Sequence, residues 1–157
     1  LSPNLLKKED FDNGWALTHI YYFATPMILL GSKQAFSSSL FQKFCDYYVS
    51  GFFNTFQALQ SFANELQGVF YPSTIAVDDL PSNMAEYIAA KSSGEVLCDL
   101  LRKNNPDVNI YSPRLPPTTT DQMAFFLPVH KHDPAPLMLE KIRRFSDKNN
   151  IDSVFSS

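Results

Sequence analysis

Three short apolar runs, separated by much longer helical patterns, constrain the fold of this chain more than any other feature of its sequence. The runs cover residues 16–24, 69–71 and 108–111 and contain the β-prone residues Ile, Val, Phe and Tyr. Their apolarity is near-continuous rather than alternating, as expected of strands that are covered on both faces. Each connection is longer than ten residues and includes a helical pattern. The order β-α-β-α-β therefore predicts an α/β domain with a parallel sheet.

The longest helical pattern, over residues 33–66, carries more apolar residues than a helix covering a sheet needs. One stripe recurs every three or four residues from Phe36 to Leu66. A second stripe consists of Phe41, Cys45, Val49 and Phe53. Two stripes predict a helix buried on two sides, with a sheet on one and another helix on the other. We therefore expect residues 36–66 to pack against a second copy of the chain or against a missing half of the protein.

The remaining patterns divide the chain into a core and two ends. Ser82 or Asn83 is expected to cap a helix that runs to about Lys103, and a shorter helix is expected over 137–145. The expected divisions are a lead-in over 1–14, one half-domain over 15–146 and a frayed tail over 147–157. The chain lacks an initiator Met, and three strands make a poor sheet on their own, so we expect a piece of a longer protein.

Composition and charge exclude several classes of function. The net charge of -3, with small basic clusters near the chain ends, is unlike that of a nucleic-acid-binding protein. The stretch 14–32 is almost uncharged, but Pro26 and a shortage of aliphatic residues make a membrane span a poor interpretation. Cys45 and Cys98 lie in apolar helical stretches, which favours free buried thiols in a reducing cytoplasm over a disulfide.

Candidate metal and hydrolase motifs are weak in this sequence. His130, His132 and Asp133 lie together in a Pro-rich loop, with no thiolate or second cluster nearby. A solvent-exposed pair of histidines is the better interpretation, and no metal is expected. The sequence contains no Gly-x-Ser-x-Gly elbow, and Asp78-Asp79 fits a loop better than a pair of catalytic carboxylates.

Tyr87 and Lys91 are the first candidates for chemistry. They are four residues apart in a helical pattern, so both side chains project from one face of the helix. An ammonium beside a phenol favours the phenolate, and we expect Lys91 to draw the pKa of Tyr87 down from about 10. Tyr87 could then exchange a proton near neutral pH. The alternative is a surface pair on an amphipathic helix.

Thr74 gives this pair a context. It stands thirteen residues before Tyr87 and directly follows a short apolar strand. Its hydroxyl is therefore expected at the carboxyl end of a parallel sheet, which is where open sheets bind their ligands. A hydroxyl, a phenol and an ammonium could converge there on one carbonyl oxygen. The alternative for Ser73-Thr74 is a simple turn between strand and loop.

The chain runs from a strand through Ser or Thr, a spacer of about a dozen residues and Tyr-x-x-x-Lys on a helix to a further strand and a Pro-rich loop. This order resembles that of the short-chain dehydrogenase/reductase family. Residues 20–25 are similar to the family's fourth strand, 49–59 to its fourth helix, 89–95 to its active-site helix and 110–120 to its sixth strand and following loop. The resemblance covers nearly the whole chain. It implies the carboxyl-side half of a Rossmann-like domain.

The resemblance also implies roles for residues. Tyr87 would be the general acid/base, Lys91 would lower its pKa and bind the nicotinamide ribose, and Thr74 would hold the substrate carbonyl. The cofactor would be NADP or NAD and the substrate a small carbonyl or alcohol. The remaining residues implied to line the cofactor are Ala24, Thr25, Pro113 and Thr118.

Two departures from the family pattern leave a second function open. Tyr48 stands where the family often has an Asn that supports a proton relay. The five glycines of the chain form no Gly-x-Gly-x-x-Gly, so the phosphate-binding turn is absent from this sequence. The first hypothesis is an NAD(P)-dependent oxidoreductase of which this is one half. The second is a non-catalytic structural or docking domain of a larger synthase, and a third is a truncated piece of an enzyme.

Overall fold

The computed structural model of this chain describes residues 16–28, 36–62, 65–116 and 134–154. In chain order, the described elements are β1 (His19–Tyr21), α1 (Ser38–Cys45), a π-helical turn (Asp46–Gly51), α2 (Phe52–Phe62), β2 (Gly68–Phe70), β3 (Ser73–Thr74), α3 (Ala76–Asp79), α4 (Ala85–Asn104), β4 (Asn109–Tyr111), β5 (Arg114–Leu115) and α5 (Pro134–Val154).

The described strands form a parallel sheet in the order β1-β2-β4. Just beyond it, β3 pairs with β5, also in parallel. Helices α1 to α4 lie in the crossovers between the strands of the sheet, and α5 follows β5. The α/β class with a parallel sheet, predicted from the spacing of the apolar runs, is therefore confirmed.

Each face of the sheet carries one row of side chains that are in register across the three strands. Ile20, Val69 and Ile110 form one row, and all are buried. The other row consists of the aromatic residues Tyr21, Phe70 and Tyr111.

Helix α5 covers the aromatic row with one side chain. The ring of Phe145 lies 5.8 Å from the centroids of Tyr21 and Phe70 and 6.1 Å from that of Tyr111, and Phe145 is 1% exposed. Because both faces of the sheet are covered, the strands are apolar at successive positions instead of alternate ones.

The helical segment from Ser38 to Phe62 is continuous but not uniformly α-helical, because a π-helical turn separates α1 from α2. The hydroxyl of Tyr22 donates to the carbonyl oxygen of Tyr47 at 2.6 Å, and that of Tyr71 donates to the carbonyl oxygen of Tyr48 at 3.0 Å. These bonds satisfy carbonyl groups within the turn. Gly51 ends the turn, and a Cβ there would lie 2.9 Å from the Tyr22 hydroxyl, so glycine permits this close approach.

Element boundaries differ from the predicted ones in several places. The first strand covers 19–21 rather than 16–24, and the long helix begins at Ser38 rather than near Lys33. The expected caps Ser82 and Asn83 are wrong, since Met84 occupies the N-cap of α4 and makes no side-chain capping bond. Helix α5 is longer than the expected 137–145, and it includes residues 147–154 of the expected frayed tail.

Among the described residues, no helix is both long enough and apolar enough to cross a lipid bilayer. Both cysteines are free thiols, with Cys98 buried and Cys45 half-buried.

Candidate active site

Thr74, Tyr87 and Lys91 come from two neighbouring elements at the carboxyl end of the sheet. Thr74 ends β3, which begins three residues after β2 ends. Tyr87 and Lys91 occupy successive turns near the start of α4, on one helix face. Their exposed fractions are 8% for Thr74, 9% for Tyr87 and 7% for Lys91. The alternative interpretation of Tyr87 and Lys91 as a surface pair is therefore wrong.

The structure places the Thr74 side chain close enough to the Tyr87 phenol to lower the pKa of that phenol. The Thr74 Oγ1 accepts a hydrogen bond from the backbone N–H of Ala76 at 3.2 Å. That bond fixes the orientation of the Thr74 side chain at the start of α3. A carbonyl group that approached this point would meet two hydroxyl groups.

The electrostatics of Tyr87 differ from the expectation. Burial raises the pKa of Tyr87 above its usual value of 10, and the nearby Thr74 side chain opposes this only in part. The expectation that Lys91 lowers the pKa of Tyr87 is wrong for this arrangement, because loss of hydration outweighs the favourable contacts. The phenol therefore keeps its proton at neutral pH.

Lys91 lies in a cage of backbone and aromatic rings. Its Nζ donates to the carbonyl oxygen of Pro72 at 2.8 Å, and it lies 4.0 Å from the ring centroid of Tyr48 and 5.1 Å from that of Tyr71. Burial lowers the pKa of Lys91 to about 7, although Cys98 and Glu95 act in the opposite direction. Near neutral pH this amine is therefore only partly protonated.

Tyr48 is a central residue of the site that the sequence identified only as a departure from a family pattern. Its hydroxyl shares a hydrogen bond of 2.6 Å with Oγ1 of Thr25, and its ring packs edge-on against Tyr87 with centroids 5.7 Å apart. Together with its contact to Lys91, this makes Tyr48 a common neighbour of three predicted site residues.

A second group that the sequence analysis missed lies beside Thr74. Ser73 donates its hydroxyl hydrogen to Glu95, and Arg114 binds the two oxygens of the same carboxylate at 2.9 and 2.6 Å. Arg114 also pairs with Asp78, so the network joins β3, α3, α4 and β5. Although burial opposes it, the bonds from Arg114 and Ser73 lower the pKa of Glu95. In the sequence, the four-residue spacing of Lys91 and Glu95 places both on one helix face, and this spacing could have indicated Glu95 as a residue of the site.

The other residues that were predicted to line the cofactor form no described hydrogen bond with Thr74, Tyr87 or Lys91. Ala24 is half-buried, and Thr25 is exposed while bonded to Tyr48. Pro113 is buried, and its carbonyl oxygen accepts from the backbone N–H of Ser73 at 2.8 Å. Thr118 lies outside the described residues, as do His130, His132 and Asp133. The part of the chain that the structure describes contains no cluster of three or more potential metal ligands.

Comparison with solved structures identifies the fold. A short chain dehydrogenase from Salmonella enterica subsp. enterica serovar Typhi str. CT18 has a TM-score of 0.70 at 15% identity, with 85% of this chain and 59% of that chain covered. A short chain dehydrogenase of Escherichia coli CFT073 in complex with NADPH has a TM-score of 0.72 at 16% identity, with 90% and 65% covered. The angucycline C-6 ketoreductase LanV with bound NADP has a TM-score of 0.59 at 14% identity, with 72% and 44% covered.

These similarities show that the chain has the Rossmann-like fold of short-chain dehydrogenases, and the predicted resemblance is confirmed at that level. No protein-family model matches the sequence, and no curated protein matches it at a significant level. The chain spans 59% and 65% of the lengths of the first two structures. Because one fold supports many functions, activity has to be argued from the site.

Proposed function

We propose that this chain is the catalytic, carboxyl-side part of an NAD(P)-dependent oxidoreductase of the short-chain dehydrogenase/reductase type, acting on a carbonyl or alcohol. The observation that carries the proposal is the proximity of the buried Thr74 and Tyr87 side chains at the carboxyl end of the sheet. Two hydroxyl groups held together at this edge form a natural binding point for one carbonyl oxygen.

In this proposal Tyr87 holds the proton that the reaction delivers. Its raised pKa keeps the phenol neutral, so its hydroxyl can donate to a substrate oxygen as negative charge develops there. Thr74 orients the same oxygen with its hydroxyl, which the Ala76 N–H holds in place. Proton transfer by a positioned side chain contributes a factor of about 10² to 10⁴ in rate.

The residues of this chain fit one end of a nicotinamide cofactor. Ala24 and Thr25 lie in the segment that follows β1, and Pro113 lies between β4 and β5. Because β2 is the central strand of the sheet, these residues lie on its two sides. When bound, a nicotinamide supplies or accepts the hydride. The 157 residues contain no glycine-rich turn for a pyrophosphate, so the adenosine end would need protein beyond these residues. Because the adenosine-reading residues are not among them, the proposal covers NADP and NAD alike.

The test is reduction of a panel of small ketones and aldehydes by the full-length protein with NADPH and with NADH. The substitution Tyr87→Phe is expected to lower kcat by at least about a hundredfold, because it removes the proton donor. Thr74→Ala is expected to raise KM and lower kcat, and Thr74→Ser to restore both. Tyr47→Phe is the matched control, since the Tyr47 hydroxyl takes part in none of the described hydrogen bonds. Unchanged turnover in Tyr87→Phe would contradict the role assigned to that residue.

A second candidate function is a non-catalytic structural or docking domain of a larger synthase. It is favoured by the packing of Tyr87 and Lys91, which are 9% and 7% exposed, with the Lys91 ammonium bonded to a backbone carbonyl. If this function is correct, Tyr87→Phe changes the free energy of unfolding, and no carbonyl is reduced with either cofactor. The two measurements made on the same variant separate the two functions.

The proposed enzyme is cytoplasmic. Its interface is formed by residues 36–66, which pack either against a second copy of the chain or against the missing half of the protein. The support is the second apolar stripe, whose members Phe41, Cys45, Val49 and Phe53 are all only half-buried. Light scattering is expected to give at least twice the mass of one chain. A clean monomer that exposes this stripe to solvent would contradict the proposal.

A further inference from the structure

Tyr48 contacts the candidate site through two different parts of its side chain. The face of its ring lies 4.0 Å from the Lys91 Nζ, and its hydroxyl shares a hydrogen bond of 2.6 Å with Thr25. The ring also packs against Tyr87. Tyr48 is 1% exposed, so the contacts hold it from all sides. No other described ring contacts both Tyr87 and Lys91.

The local backbone explains why Tyr48 points into the site. It lies in the π-helical turn, and π-helical turns inside α-helices occur frequently at functional sites. Tyr71 binds the carbonyl oxygen of Tyr48 through its hydroxyl, while its ring forms the second aromatic neighbour of Lys91. Tyr71 thus fixes the backbone of Tyr48 and completes the cage around the ammonium.

We propose that Tyr48 is a positioning residue that holds the Lys91 ammonium against its ring face and is itself anchored by Thr25 to the segment that follows β1. The proposal deepens the proposed function, on which its catalytic meaning rests. A cation over the face of an aromatic ring is attracted by the ring's electrons, and the attraction grows when water is excluded. Tyr48 therefore stabilises a charge that burial otherwise disfavours.

Other groups around Lys91 cannot replace this contact. Glu95 and Cys98 lie on the same helix as Lys91, and Glu95 is already bound by Arg114 and Ser73. Burial raises the pKa of Cys98 to about 12, so its thiol carries no charge at neutral pH. Burial likewise raises the pKa of Tyr48 and that of Tyr71, and both rings act as neutral π-systems.

The experiment measures the pKa of Lys91 in the full-length protein by NMR of ¹³C-labelled lysine, with its signal assigned by its loss in Lys91→Arg. Tyr48→Phe keeps the ring and removes the bond to Thr25. Versions of Tyr48→Phe with one and three ring fluorines keep the shape and weaken the negative face of the ring. Tyr48→Leu removes the ring, and Tyr47→Leu is the control within the same turn.

The pKa of Lys91 is expected to be nearly unchanged in Tyr48→Phe and in the control. It should fall stepwise with fluorination, by about one unit for three fluorines, a tenfold change in the acid constant. Tyr48→Leu should lower it similarly. The fluorinated chains keep the test decisive if Tyr48→Leu does not fold.

A pKa of Lys91 that does not respond to fluorination would overturn the proposal. So would a fall in Tyr48→Phe as large as that in the trifluorinated chain, since the hydroxyl would then be responsible. The measurement needs no cofactor or substrate. Expected shifts in a protein that reduces no carbonyl would therefore support the contact between Tyr48 and Lys91 while refuting the proposed function.

Discussion

Replacing Lys91 with methionine is expected to remove much of the rise in stability that we expect of the unaltered chain between pH 7 and pH 9. Burial lowers the pKa of Lys91 from 10.5 to about 7 in the folded chain. Between these values the unfolded chain holds a proton that the folded chain has released, so the free energy of unfolding rises with pH. The slope approaches about 1.4 kcal/mol per pH unit, which gives about 2 kcal/mol between pH 7 and pH 9.

Lys91→Met has no titrating group at this position and should lack this contribution. The substitution also leaves the Pro72 carbonyl without its donor, at a pH-independent cost of about 1 to 3 kcal/mol. The informative quantity is therefore the change with pH in the stability difference between the two chains. Well below pH 7 Lys91 is protonated in both the folded and the unfolded state of the unaltered chain, and the difference should become constant there.

The assay is urea unfolding followed by circular dichroism at pH 6, 7, 8 and 9 for both chains. Lys43→Met, at an exposed position of α1, is the control and should follow the unaltered chain at every pH. Contributions from the tyrosines and cysteines are present in all three chains and cancel in the differences. A difference between Lys91→Met and the unaltered chain that stays constant to within about 0.5 kcal/mol over pH 7 to 9 would refute the reasoning, because it would mean that Lys91 titrates near its ordinary pKa.

Three further substitutions test the packing that supports the site. Gly94→Ala places a Cβ against the Tyr71 hydroxyl and is expected to cost about 1 to 3 kcal/mol in urea unfolding. Phe145→Ala uncovers the aromatic row of the sheet and should cost about 3 to 5 kcal/mol in the same assay. Arg114→Gln should lower the free energy of unfolding at pH 7, and the loss should be small because the ion pairs are partly exposed. Since the pKa of Glu95 is lowered in the folded chain, that loss is present at pH values above 4.5 and should disappear as the pH falls further.

Each of these substitutions has a control at an exposed position. Ser93→Ala precedes Gly94 in α4, Leu139→Ala lies in α5 with Phe145, and Arg144→Gln removes an exposed ion pair with Glu140. All three are expected to change the free energy of unfolding by less than about 0.5 kcal/mol. A control that costs as much as its partner substitution would show that the assigned contact is not the cause.

The alternation of strands and helices along the chain was predictable because burial of a strand on both faces leaves a simple trace, a short run of consecutive apolar residues. The pairing of Thr74 with Tyr87 was predictable for a related reason, since a strand end and the following helix in a parallel sheet must lie close together. Both predictions depend on periodicity and chain order alone. Neither requires knowledge of how a particular side chain packs.

The π-helical turn was not predictable from the sequence, because it depends on contacts between distant residues. Tyr22 and Tyr71 reach it from the strands, and without their hydroxyl groups the sequence 46–51 is compatible with an ordinary α-helix. The position of Lys91 was missed for the same reason. Helical spacing put Lys91 on the face of Tyr87, but the rings of Tyr48 and Tyr71 and the Pro72 carbonyl decide where its ammonium lies.

Burial, more than any neighbouring charge, sets the proton content of the candidate site. It raises the pKa of Tyr87 and lowers that of Lys91, so at neutral pH the phenol keeps its proton while the amine is only partly protonated. A neutral phenol can donate a proton to a developing alkoxide, whereas accepting a proton from an alcohol needs the phenolate that burial disfavours. Under the proposed function, the packing that makes these residues part of the core therefore supplies the protonated phenol that carbonyl reduction needs. The enzymatic and the structural proposals therefore require the same packing of Tyr87. They differ in whether a substrate oxygen reaches the Tyr87 hydroxyl.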